Sequence, residues 1–145
     1  MKRFILLLLF PVLVASSAAA SVNWPDALKG ITAGEQAWLD KVPELAAVAD
    51  VKQAIALEDA LSGSLAKNTL GTLKALSLID AKTWPHMTGT DIVCGLPVEK
   101  STATNEDFYQ QTRLALLSTD KGATCLWILE ATYEEWRADN ARKAK

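Results

Sequence analysis

The chain has 145 residues, a formal net charge of −2, two cysteines and one histidine. Its charges are mixed along the sequence with no basic cluster, which argues against a nucleic-acid or anionic-membrane partner. A lone histidine excludes the usual multi-histidine metal sites, and no cofactor fingerprint is present.

Met1, Lys2 and Arg3 place two positive charges ahead of an apolar run from Phe4 to Val14, and small residues follow from Ala15 to Ala20. This is the three-part pattern of a secretory signal peptide, with Ala18 and Ala20 forming the A-x-A site and cleavage falling before Ser21. A membrane anchor is the competing reading. The apolar run is eleven residues long, short of the roughly 20 needed to span a bilayer, and Pro11 interrupts it. Removal of residues 1–20 leaves 21–145, one domain by size, periplasmic or secreted. Loss of Lys2 and Arg3 makes it two units more acidic, too little to argue for a basic partner.

Nearly every signal after Ser21 is helical. Asn23-Trp24-Pro25-Asp26 reads as a turn leading into a short helical piece over 26–30, with Gly30 and Gly34 against anything continuous. Thr32-Ala33-Gly34-Glu35 has capping-box spacing and predicts a short helix through Trp38 and Leu39 that Pro43 ends. From Pro43 to about Leu61 the alanine-rich run predicts one central helix, which Ser62-Gly63-Ser64 breaks, leaving Ser64 as a cap. Over 65–80 the apolar stripe Leu65, Thr69, Thr72, Leu73, Leu76, Ile79 recurs at helical spacing, and Gly71 marks a close helix contact.

Trp84 to Gly89 has the character of a linker, and a short extended piece is open to residues 92–97, limited by Gly95 and Pro97. Thr104 to Asp107 repeats the capping logic and predicts a helix over 105–118. A turn at Asp120-Lys121-Gly122 leads to a last helix from about Thr124 to Arg142, with Cys125, Ile128, Leu129, Thr132, Tyr133 and Trp136 inward and a frayed tail from Arg137. The sum is an all-α fold, a small irregular bundle of about five helices. In an oxidising compartment Cys94 and Cys125 most simply form one disulfide, tying the loop ahead of the fourth helix to the start of the fifth; two buried free thiols are the alternative.

Candidate chemistry is sparse. A dyad of His86 with Cys94 needs a thiolate that a disulfide removes, so His86 reads as a loop histidine beside Pro85. Glu130, Glu134, Glu135 and Asp139 could supply two carboxylates for acid–base work on a glycosidic bond, but their spacing, with Arg137 near, is that of a solvated helix face. Trp127 falls nearly opposite Cys125 and Leu129 and is either covered by a second layer or an exposed anchor. No nucleophile elbow, phosphate-binding loop, dinucleotide fingerprint or CxxC occurs, so a non-catalytic protein is expected.

Cys94-Gly95-Leu96-Pro97, a following helix and Cys125 in another helix resemble the small periplasmic immunity proteins of the Rap and Tai type. The resemblance covers about residues 92–136. It implies an exported, disulfide-bonded helical protein that neutralises a cell-wall amidase delivered by a contact-dependent secretion system, by plugging the active-site groove of that enzyme. Only Cys94 and Cys125 carry over, as a structural pair. Many members of that family have further cysteines in the first half of the mature chain, where this sequence has none.

The expectation is therefore an exported protein that binds a protein partner, with Trp127, Trp84, His86, Leu96 and Pro97 as contact candidates. A cell-envelope module that binds glycan or a small apolar ligand through its tryptophans is the second reading, and an enzyme using the acidic helix is the third. Protein recovered from the native host is expected to begin at Ser21. Intact-mass measurement checks this, and a chain still carrying Met1 to Ala20 would remove the compartment argument.

Overall fold

The computed structural model describes residues 21–97 and 99–145, so the leader expected over residues 1–20 lies outside the described residues. Eight α-helices follow one another with no strand among the described residues. They are α1 (Trp24–Thr32), α2 (Gln36–Leu39), α3 (Val42–Val48), α4 (Val51–Ser64), α5 (Thr69–Asp80), α6 (Thr90–Val93), α7 (Thr102–Leu117) and α8 (Ala123–Lys143), with a 3₁₀ turn at Asp120–Gly122 before α8. The all-helical class agrees with the sequence; the count of about five does not.

The additional helices arise where local hydrogen bonding overrides propensity. The alanine-rich run is cut at Ala49, which is extended, because Asp50 and Gln53 cap each other reciprocally. The Gln53 N–H donates to Asp50 at 2.8 Å and the Asp50 N–H donates to Gln53 Oε1 at 2.9 Å. This is the capping box of α4, and it outcompetes a continuous helix.

The pattern at Thr32 to Glu35 has the opposite meaning from the one expected. Thr32 is the last residue of α1 and its hydroxyl donates to the Leu28 carbonyl. Gly34 has φ +76°, and Gly34 N–H and Glu35 N–H donate back to Ile31 and Gly30. That is a Schellman ending, which needs a left-handed residue, rather than the cap of α2. Pro25 and Pro43 sit in the first turns of α1 and α3, where a missing N–H costs nothing.

Gly30 does not end α1, because the Trp38 ring packs against the spot a methyl group would fill. Gly71 is buried against Gln36 of α2, the close approach expected of it. Ser62-Gly63-Ser64 continues α4 to its end, and Asn68 rather than Ser64 caps α5. The buried Ser64 hydroxyl instead bonds Leu61 O and Thr72 Oγ1, both at 2.7 Å. Residues 92–93 belong to α6, not to an extended piece, and Ser101 rather than Thr104 caps α7. The polar C-terminal residues remain helical through Lys143.

One hydrophobic cluster runs through the described residues, with Ile31, Leu57, Leu61, Leu65, Leu76, Ile79, Leu116 and Leu129 essentially sealed. α1 lies along α4, α3 against α5, and α7 along α8. No helix among the described residues is long and apolar enough to cross a membrane. Cys94 and Cys125 are bonded, with Cα atoms 5.1 Å apart, joining the C-terminal end of α6 to the first turn of α8. Closing that loop stabilises the fold by roughly 3 to 4 kcal/mol in the chain-entropy model. Denaturant unfolding with and without reductant is expected to differ by about that amount. Identical midpoints would show that the bond adds nothing to the fold.

Candidate functional site

The inward stripe of α8 is Cys125, Leu129, Tyr133 and Trp136, all buried. Trp127 is two residues from both Cys125 and Leu129, hence about 200° round the helix from each. It points outward and is 75% exposed, the most exposed of the large hydrophobic side chains among the described residues. No second layer covers it among the described residues.

The face of α8 leading to Trp127 looks toward α7. Glu130, one turn on, accepts hydrogen bonds from Tyr109 Oη and Arg113 Nε, both at 2.7 Å. On α7, Leu114 (66% exposed) and Leu117 (53%) stand on the outward side next to Arg113. Trp127 of α8 and Leu114 and Leu117 of α7 are thus exposed apolar side chains on the two helices that the Arg113–Glu130 ion pair joins. An aromatic anchor with apolar neighbours and a polar border is the composition of an interface hot spot.

Residues 84–97 are fixed from three sides, and sequence reasoning missed most of the groups that fix them. Glu58 is buried on α4, and its Oε1 accepts the N–H groups of Thr88 at 2.6 Å and Gly89 at 3.1 Å. Asp80 accepts from the Thr90 N–H and hydroxyl. Ser62 donates to Val93 O at 2.8 Å, and the Leu96 N–H donates to Thr132 Oγ1 at 2.9 Å. Gly89, at φ +96°, permits the turn that presents two consecutive N–H groups to one carboxylate.

That anchoring decides the remaining contact candidates. Trp84 is buried, with its Nε1–H donating to Ile79 O at 2.7 Å, and Leu96 is buried as well. Both side chains belong to the core and have almost no surface to give a partner, contrary to expectation. His86 is exposed and Pro97 half-buried. Cys125 and Thr132, which hold this segment, lie on the side of α8 away from Trp127. The structure thus does not bring the stapled segment and Trp127 into one surface.

Glu130 is likewise not part of a solvated acidic face, whereas Glu134, Glu135 and Asp139 are exposed. The Tyr109 and Tyr133 rings stack with centroids 3.5 Å apart, and Tyr133 donates to Glu106. Burial, followed by the Glu130 hydrogen bond and charge, pushes the Tyr109 phenol up to about 12. Burial and Glu106 push Tyr133 up too. Both phenols are held neutral as donors to carboxylates, an arrangement that locks α7 to α8. The i, i+3 pair Glu106–Tyr109 facing Glu130–Tyr133 is the sequence signal that could have revealed it. Among the described residues no cluster of three or more His, Cys, Asp or Glu is placed to hold a metal ion.

The chain matches no protein-family model, and comparison with curated proteins and solved structures gives no match.

A phenol whose folded pKa lies above its unfolded value contributes stability that is complete below pH 10 and lost as pH rises toward 12. Wild type is therefore expected to lose more stability across that window than Tyr109→Phe. Parallel pH profiles for the two proteins would refute the shift.

Proposed function

We propose that this chain is an exported, non-catalytic protein that binds another protein, acting as an immunity factor or inhibitor of a cell-wall hydrolase. The observation that carries this reading is Trp127, 75% exposed on a long helix whose opposite side is covalently tied to α6. Exposing so large an apolar ring to water is unfavourable unless a partner covers it, and a preorganised anchor loses little entropy on binding. The resemblance around Cys94 and Cys125 supplies the partner class, a cell-wall amidase.

The glycan-binding reading draws on five tryptophans. Trp84 and Trp136 are buried, and Trp24 and Trp38 pack partly into the core. A single exposed ring favours a protein hot spot over a multi-ring stacking platform.

The immobilised chain is expected to retain a cell-wall hydrolase from envelope extract and to inhibit its cleavage of peptidoglycan. Trp127→Ala should weaken that affinity by about 30-fold or more, the cost of a hot-spot truncation, while shifting stability by no more than about 0.5 kcal/mol. Undiminished inhibition by the variant would remove Trp127 from the interface. Co-sedimentation of the chain with peptidoglycan in place of hydrolase capture would overturn the reading itself.

A further inference from the structure

The chain has two tyrosines, and they pack on each other. The Tyr109 and Tyr133 rings are parallel, with an interplanar angle of 0° and centroids 3.5 Å apart. Aromatic pairs left to themselves prefer offset or edge-on arrangements with centroids about 4.5 to 7 Å apart, so ring attraction does not explain this sandwich. Two crossed hydrogen bonds do. Tyr109 of α7 donates across to Glu130 of α8 at 2.7 Å, and Tyr133 of α8 donates back to Glu106 of α7 at 3.0 Å. Each phenol has its own carboxylate on the opposite helix, and the rings lie head to tail between them.

These are the parts that oxidative phenol coupling needs. A neutral phenol gives up an electron most readily when a base takes its hydroxyl proton in the same step, and Glu130 and Glu106 are placed to do so. The unpaired electron of a phenoxyl occupies π orbitals above and below the ring, with density on the carbons ortho to oxygen. A new carbon–carbon bond therefore forms perpendicular to the ring planes, which in this pair is the stacking axis. Both rings are buried, so the nearest reaction partner of either radical is the other ring. The oxidant need not touch them, because electron transfer does not require contact.

We infer that Tyr109 and Tyr133 form an oxidative cross-linking site, at which a one-electron oxidant joins α7 to α8 through a dityrosine bond. Two equivalents of oxidant each take one electron, while the Tyr109 proton passes to Glu130 and the Tyr133 proton to Glu106. The two phenoxyls then join through one ortho carbon of each ring. The hydrogen on each joined carbon moves to its ring oxygen, which restores two phenols. The net change is the loss of two electrons to the oxidant and two protons to solvent through the carboxylates. Cys94–Cys125 already ties the first turn of α8, and the new bond ties a point about two turns further on. This site does not rest on the protein-partner reading and stands or falls independently of it.

Brief illumination of the disulfide-intact chain with ruthenium tris-bipyridyl and persulfate tests this, persulfate accepting both electrons and leaving as two sulfates. The monomer fraction is expected to gain dityrosine fluorescence. After reduction and tryptic digestion, mass spectrometry should find peptides 101–113 and 122–137 joined with the loss of two hydrogens. The folded chain should give about tenfold or more of this product than the chain in denaturant, because the rings are held together before reaction. Glu106→Gln combined with Glu130→Gln keeps a hydrogen-bond acceptor at each phenol and removes the base. Circular dichroism is expected to show that variant folded, with coupling slowed by about tenfold or more. No joined peptide in the monomer, an equal yield from the unfolded chain, or undiminished coupling in the double variant would each overturn the proposal.

Discussion

The Cys94–Cys125 bond is the constraint on which the rest of the molecule depends. It joins a four-residue helix to the first turn of the longest described one, two elements that also pack against each other. Hydrogen bonds then set the detail that a single covalent link leaves free. Glu58 receives Thr88 and Gly89, Asp80 receives Thr90, and Thr132 receives Leu96. Each of these joins a side chain on a core helix to backbone in the stapled segment, so bond and network together make residues 84–97 part of the core. Removing either partner of the buried Glu58 contacts would leave polar groups without water or protein to satisfy them.

Helix α8 is consequently divided by angle into three sides with different duties. Cys125, Leu129, Tyr133 and Trp136 face the core. Thr132 and the bonded sulfur turn toward α6 and the segment after it. Glu130 turns toward α7, where Tyr109 and Arg113 meet it, and Trp127 continues beyond it into solvent. A helix fixed on two sides can hold an apolar ring on the third without that ring collapsing onto the protein. This is the physical content of the interface reading, and it is why Trp127 differs from the other four tryptophans.

The outer side of α7 and α8 sets the exposed Trp127, Leu114 and Leu117 among exposed polar side chains such as Gln110 and Glu134, with Arg113 and Glu130 paired to each other. An aromatic anchor in such a setting gains affinity when a partner excludes water around it.

The sequence by itself determined the helical class, the last helix with its inward stripe and the α5 stripe, and it limited any disulfide within the chain to Cys94–Cys125. These follow from periodicity, propensity and cysteine number, all local or countable quantities. Tertiary structure alone decided three other matters. Thr32-Ala33-Gly34-Glu35 could begin a helix or end one, and only the approach of Trp38 to Gly30 and the left-handed Gly34 select the ending. Glu58 looked like any helix glutamate, because its burial depends on a loop 30 residues away. Trp127 had a direction fixed by its position on α8, but helical spacing sets an angle and not what lies along it. Coverage is a property of other parts of the chain, and none of the described elements packs over Trp127, which stays 75% exposed.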